Sequence, residues 1–278
     1  MIPVLAAHGL GLGPWLFEPW RAAFAAAGLE LRPLTLPGHG DGANAGFGDV
    51  VAAIEAALDA AGPTAILLGH SFSGLAVQTI VARRTLPAAV LVCPMPPGQL
   101  RLPVPAAVLR HLPRAAASLA LGRPYLPGRV AWQRFGFGRL TPAQLDDVLA
   151  RVSPWPNRLC RDLLRPPEVH PVAVDTPMLV ALGGADPLVP SDVGRVIGDL
   201  FEAVVWRYDD LGHTPMLEPG GERLRDDVIR FCLDPVRPRV LESEGFAPEE
   251  GAGHQARRAR RGAAAKRRSA YGQRGGAR

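Results

Sequence analysis

The sequence predicts an α/β protein with a mainly parallel sheet of about six strands, flanked by helices. Six short apolar runs alternate with segments whose apolar residues recur at helical spacing. Strands that alternate with helices form mainly parallel sheets, because each helix carries the chain back across the sheet. Most of the apolar runs are continuous rather than alternating with polar residues, which predicts that helices cover both faces.

The predicted elements follow one another along most of the chain. Strands are predicted at Ile2–Ala7, Leu29–Leu36, Ala65–Leu68, Ala88–Val92, Met178–Leu182 and Ala203–Tyr208. The clearest helices are predicted at Phe47–Ala61, Leu75–Arg84, Asp192–Leu200 and Gly221–Leu233. Between the fourth and fifth strands the strand pattern disappears, and three stretches have helical spacing instead: Ala106–Leu112, Arg114–Leu121 and Pro142–Val152. This part of the chain is therefore predicted to be a helical cap inserted into the sheet domain.

The predicted organisation has three parts. Residues 1–94 and 176–234 form the sheet domain, residues 95–175 form the cap, and residues 235–278 form a disordered basic tail. The tail contains eleven Lys and Arg against four Glu, whereas the first 234 residues contain 20 basic and 22 acidic residues. A Gly/Ala-rich segment with so many like charges cannot bury a core. It could bind phosphate-rich polyanions, but a solvated extension is the simpler interpretation.

One short segment carries the strongest chemical signal. The apolar strand ending at Leu68 is followed by Gly69-His70-Ser71-Phe72-Ser73-Gly74 and then at once by a predicted helix. A serine on so sharp a strand-to-helix turn projects its hydroxyl above the sheet edge, and small neighbours let the backbones approach closely. The pattern departs slightly from Gly-x-Ser-x-Gly, because Ser73 takes the second small position and the glycine follows one residue later. We interpret Ser71 as a nucleophile; a helix-capping serine is the alternative.

An acid and a histidine follow the serine in the expected order. Asp186 lies in the turn just past the fifth predicted strand, and His213 comes shortly after the sixth. The carboxyl ends of parallel strands lie at one edge of a sheet, which is where ligands bind in α/β folds. His213 can act as the base for a serine, and a carboxylate can orient its ring. The other candidates for the acid are Asp192, Asp209 and Asp210.

With these motifs the chain resembles the α/β-hydrolase superfamily from residue 1 to about residue 233. Two further motifs match it, namely His8-Gly9-Leu10-Gly11-Leu12-Gly13 after the first strand and Leu36-Pro37-Gly38-His39-Gly40 after the second. The resemblance implies a catalytic triad of Ser71, Asp186 and His213. It also implies an oxyanion hole formed by the backbone N–H groups of Leu10 and Phe72. His70 is expected to pack near the pocket, and Glu218 to support the histidine loop or cap the helix that follows.

The resemblance implies a cofactor-independent serine hydrolase that cleaves a carboxylic ester or thioester through an acyl-enzyme. Large apolar side chains in the cap suggest a hydrophobic acyl or aromatic group, although most of them are needed for packing: Trp132, Phe135, Phe137 and Trp155. The alternatives are a C–C hydrolase or a perhydrolase on the same residues, or a catalytically silent ligand-binding protein.

Other classes of function find little support in the sequence. The three cysteines are too far apart for a disulfide framework or a metal cluster, and they suit a reducing cytoplasm. No dinucleotide fingerprint and no nucleic-acid recognition motif occurs, so neither a cofactor nor a specific nucleic-acid partner is expected. Without a leader or a run of membrane-spanning length, a cytoplasmic protein acting on a small molecule is expected. No feature specifies an oligomeric state.

Overall fold

The computed structural model describes residues 1–100, 112–171 and 175–234, and its centre is a six-stranded sheet. The strands are β1 (Ile2–Ala7), β2 (Leu29–Pro33), β3 (Ile66–His70), β4 (Ala89–Val92), β5 (Met178–Gly183) and β6 (Val204–Tyr208). They lie in the order β2-β1-β3-β4-β5-β6, and every neighbouring pair is parallel. The predicted fold class is confirmed. The strand order reverses between β1 and β3, and the crevice at such a reversal is the usual ligand site of an open parallel sheet.

Helices cover both faces of the sheet. They are α1 (Glu18–Ala26, after a 3-10 turn at Pro14–Phe17), α2 (Phe47–Ala61), α3 (Phe72–Val81), α4 (Leu112–Ala120), α5 (Arg129–Phe135), α6 (Pro142–Leu149), α7 (Asn157–Leu164), α8 (Ser191–Phe201) and α9 (Gly221–Leu233). Alternate strand residues face opposite sides. Leu5 and Ala7 of β1 join the core built with α2, α3 and α8, whereas Val4 and Ala6 are buried on the other side. On that other side α1 packs against α9.

The element boundaries differ from the predicted ones mainly next to the loops. Phe47–Ala61 and Gly221–Leu233 are helices as predicted, but α3 begins at Phe72 rather than Leu75 because the turn enters the helix at once. Three helices went unpredicted: α1, α5 and α7. Each is short and has an interrupted apolar pattern, and α7 buries only Asn157 and Leu159.

The segment between β4 and β5 contains α4 to α7, in keeping with the predicted helical insertion. The predicted helix Ala106–Leu112 lies, except for Leu112, outside the described residues, and so does the basic tail of residues 235–278. Within the described part of the chain, each helix is too short or too polar to cross a membrane.

Candidate active site

Ser71 occupies a strained turn between β3 and α3. Its φ of 58° and ψ of −124° lie in a region that favours glycine, so the surrounding structure must hold it there. The Ser71 N–H donates to Val92 O (3.1 Å), and the Ser71 carbonyl accepts from Gly74 N and Met95 N (2.9 Å each). These bonds fix the backbone while the side chain stays partly exposed at the sheet edge.

The small residues around Ser71 are each required by a close contact. A β-carbon on Gly69 would lie 2.6 Å from the Ser73 carbonyl oxygen, and one on Gly74 would lie 2.6 Å from Cβ of Pro94. Ser73 is fully buried, and its hydroxyl donates to the carbonyl of His8 at 2.6 Å. The serine at the position where the pattern has glycine thus links the turn to the loop after β1.

The structure brings Ser71, His213 and Asp186 together. Nε2 of His213 lies 2.9 Å from Ser71 Oγ, and Nδ1 of His213 lies 2.8 Å from Asp186 Oδ2. All three residues follow carboxyl ends of parallel strands, namely β3, β5 and β6. In the neutral tautomer with the proton on Nδ1, His213 donates to Asp186 and its Nε2 can accept the proton of the Ser71 hydroxyl.

The surroundings of Asp186 keep its carboxylate charged. The Asp186 side chain is 1% exposed, and this burial by itself raises the pKa of the carboxyl. The contact with His213 and the N–H groups of Leu188 and Val189 outweigh burial, so the pKa lies below its ordinary value. Those two N–H groups donate to Oδ1 at 2.7 and 3.0 Å.

The three rival aspartates lie outside this arrangement. Asp209 and Asp210 are exposed and pair with Arg207 and Arg223. Asp192 lies in the first turn of α8. Asp186 alone of the four is hydrogen bonded to His213 in the structure.

Glu218 holds the loop that carries His213. Its two carboxylate oxygens accept from the N–H groups of Gly212 (2.5 Å) and Thr214 (3.2 Å), the residues on either side of His213. Burial raises the pKa of Glu218, while the two N–H groups and Arg139, 3.8 Å away, act in the opposite direction. Of the two roles expected for Glu218, the structure supports the loop contact.

His70 supports the same loop from the other side. Its ring is fully buried beside the His213 ring, with 5.0 Å between centroids, and burial lowers its pKa to about 3. The neutral ring donates from Nε2 to the His213 carbonyl at 2.7 Å. His70 therefore packs beside His213 and anchors the His213 backbone. Packing near the site is what we expected of it.

The loop after β1 lies beside the turn that carries Ser71. A β-carbon on Gly9 would lie 3.1 Å from Ser71 Cβ, so the chain passes close to Ser71 here. The Leu12 N–H donates to the Gly9 carbonyl (3.1 Å), which makes Leu10 and Gly11 the central residues of a tight turn. Phe72 is the first residue of α3, and a helix leaves its first N–H groups without partners inside the helix.

Residues of the insertion pack on both loops of the site. The Thr214 hydroxyl, next to His213, donates to the carbonyl of Gly136 at the end of α5. The Gly11 carbonyl accepts from Ser153 N at 2.9 Å. Trp132 and Trp155 cover Gly11, where a β-carbon would lie 2.9 Å from Cη2 of Trp132 and would collide with the indole nitrogen of Trp155.

One group of potential metal ligands occurs in the described residues, and it overlaps the site. Ligand atoms of Cys93, Asp186 and His213 lie within 4.8 Å of one another. However, His213 and Asp186 are already bonded to each other. Burial, with the negative charge of Asp186, raises the pKa of the Cys93 thiol well above its ordinary value, and a protonated thiol is a poor ligand. This donor set does not fit a resident metal.

Comparisons with known proteins agree with this architecture. A model of the alpha/beta hydrolase family matches residues 4–225, and the chain therefore belongs to this family. A search of curated protein sequences finds no match.

Solved structures similar to the chain include three enzymes of known name. An esterase from Thermogutta terrifontis is 19% identical, with a TM-score of 0.63 over 84% of this chain and 90% of the esterase. A monoacylglycerol lipase from Paleococcus ferrophilus is 16% identical, with a TM-score of 0.65 over 84% and 94% of the two chains. An esterase from a Rhodococcus species is 23% identical, with a TM-score of 0.65 over 83% and 90%. At these identities the likeness is one of fold.

Proposed function

We propose that the protein is a cofactor-independent serine hydrolase that cleaves carboxylic esters through an acyl-enzyme. The observation that carries the proposal is the hydrogen-bonded chain from Ser71 Oγ through His213 to Asp186. Three side chains from separate loops meet in the order that activates a serine hydroxyl. The esterases and the lipase among the similar structures are in keeping with this chemistry.

In this mechanism Ser71 Oγ attacks the ester carbonyl carbon while His213 Nε2 takes the hydroxyl proton. Asp186 holds the His213 ring in the required tautomer and stabilises the imidazolium that forms. The imidazolium then gives its proton to the departing alcohol, and an acyl group stays bound to Ser71. Water, activated by the same Nε2, releases the acid and restores the serine.

The negative charge that develops on the carbonyl oxygen needs donors at a fixed position. We assign this role to the backbone N–H groups of Leu10 and Phe72. The contact between Gly9 and Ser71 places the first loop beside the nucleophile, and the N-terminus of α3 favours negative charge. Residues 95–175 are proposed as a cap, because α5 and the Ser153–Trp155 segment contact the loops that carry His213 and Leu10.

Hydrolysis of chromogenic esters of graded acyl length tests the proposal. We expect wild-type protein to hydrolyse at least some of them, and Ser71→Ala to lower kcat by several orders of magnitude with an unchanged thermal transition. Ser73→Ala is the matched control, and it should keep most of the activity even though it loses the bond to His8. Full activity of Ser71→Ala would refute the mechanism.

A further inference from the structure

Two tryptophans of the insertion have indole N–H groups with no hydrogen-bond acceptor among the described residues. The indole nitrogens of Trp132 and Trp155 are both buried, and each has no hydrogen-bond partner among the described residues. The same is true of the Ser153 hydroxyl. The two indole rings meet edge to face with 5.8 Å between centroids.

These donors gather at the loop that carries Leu10. Both rings cover Gly11, the residue after Leu10, and Ser153 is tied to Gly11 by its backbone N–H. The backbones of Trp155 and Tyr125 exchange two hydrogen bonds, of 2.8 and 3.0 Å, which fix the position of Trp155. The unpaired donors therefore lie beside the loop of the proposed oxyanion hole.

A buried donor without a partner destabilises the protein, and a ligand that supplies an acceptor removes that cost. The acceptor should be uncharged. Aromatic rings surround the donors, since Trp132 stacks on Phe137 and Trp155 meets Tyr125.

We propose that the enzyme selects esters whose acyl chain carries an uncharged oxygen acceptor, such as an ether or ketone oxygen, bound by the indole N–H groups of Trp132 and Trp155. This inference rests on the proposed ester hydrolysis. It concerns the acyl side because the acyl group stays in the site through both half-reactions, whereas the alcohol must leave to solvent. The apolar remainder of the chain would pack on the aromatic rings around the donors.

An oxygen scan of the acyl chain tests this selection. The substrates are p-nitrophenyl heptanoate and four analogues in which an ether oxygen replaces one methylene at successive positions beyond the α-carbon. For wild-type protein we expect one position to raise kcat/KM about tenfold over the alkyl ester, as one satisfied buried donor would give. Trp155→Phe keeps most of the ring but removes the N–H, and Trp132→Phe does the same at the second site.

At least one of these variants should lose most of the preference, measured as the ratio of kcat/KM for the ether ester to kcat/KM for the alkyl ester in the same variant. Trp206→Phe is the matched control, because Trp206 is a buried tryptophan that packs on Phe231 of α9 instead of Gly11. The inference would be overturned if the wild-type enzyme preferred no oxygen position, or if both variants kept the full wild-type preference. Either result would leave the proposed ester hydrolysis intact. Hydrolysis of none of the esters would overturn both.

Discussion

Asp186 is the residue whose single change separates chemistry from folding most cleanly. Asp186→Asn keeps the size of the side chain, but its amide favours the wrong tautomer of His213, with Nδ1 unprotonated. We expect kcat to fall by about 10⁴-fold with little change in the far-UV circular dichroism spectrum.

Two exposed aspartates provide the control for this substitution. Asp209→Asn and Asp210→Asn each remove one carboxylate from an exposed ion pair, so each should change kcat less than about threefold. A larger loss in either control than in Asp186→Asn would move the acid to the segment before His213.

At the residue scale, the meeting of the candidate site residues was easier to predict than their conformation. Their residue types follow three strand ends in a fixed order, and the structure brings Ser71, Asp186 and His213 together. The φ of 58° at Ser71 and the bond from Ser73 to His8 had no signal in the sequence, because both depend on segments brought together by folding. The indole donors were missed for the same reason, since their environment is set by the contact with Gly11.

At the scale of elements, the buried carboxylate of Glu218 holds the position of the loop after β6. Glu218→Gln replaces an oxygen with an amide nitrogen, so one of the N–H groups of Gly212 and Thr214 loses its acceptor. We expect kcat to fall about 10- to 100-fold with KM little changed, because His213 shifts while the substrate pocket remains. Steady-state kinetics on one ester measure both constants.

Glu222→Gln is the control for this loop. Glu222 is an exposed residue of α9, and its substitution should leave both constants unchanged. Equal kinetics for Glu218→Gln and wild type would mean that the loop keeps its position without the second acceptor.

The carboxyl ends of β1 and β3 carry buried histidines that make stability depend on pH. Burial lowers the pKa of both His8 and His70 from 6.5 to about 3. Between these two values the unfolded chain binds protons that the folded protein does not, so acid favours unfolding. From pH 7 to pH 5 each histidine should lower the free energy of unfolding by about 2 kcal/mol.

Urea unfolding at several pH values tests this dependence. His70→Gln should reduce the change in the free energy of unfolding between pH 7 and pH 5. His170→Gln, which replaces an exposed histidine, should leave that change as it is in the wild-type protein. A wild-type protein equally stable at pH 7 and pH 5 would contradict the buried neutral histidines.

Element prediction succeeded where the pattern was continuous. All six strands were located, because five are mainly apolar runs, β2 alternates apolar with charged residues, and turn residues bound them. The short helices α5 and α7 were not predicted, because contacts with other segments, such as that of Leu159 with the main core, stabilise them more than their own periodicity does.

At the scale of the whole molecule, charge is unevenly distributed along the chain. The first 234 residues have two more acidic than basic residues, and the formal charge of +5 arises from the residues beyond them. The sequence has no periodic apolar segment beyond Leu233, and the family match ends at residue 225.

We therefore expect removal of residues 240–278 to leave ester hydrolysis and the thermal transition unchanged. If the tail binds polyanions, only the full-length chain should be retained on heparin, and added salt should release it. Loss of the thermal transition on truncation would show that the tail stabilises the fold, and equal retention of both chains would exclude the tail as the binding segment.

Covalent trapping tests the central claim, that Ser71 is the nucleophile, most directly. The intact protein is treated with an alkyl fluorophosphonate, which reacts with activated serines, and the modified peptide is identified by mass spectrometry. The proposed mechanism predicts a single phosphonate adduct on Ser71, formed also by Ser73→Ala and absent from Ser71→Ala. An adduct on another serine would contradict it. So would treated protein that forms no adduct although it hydrolyses esters.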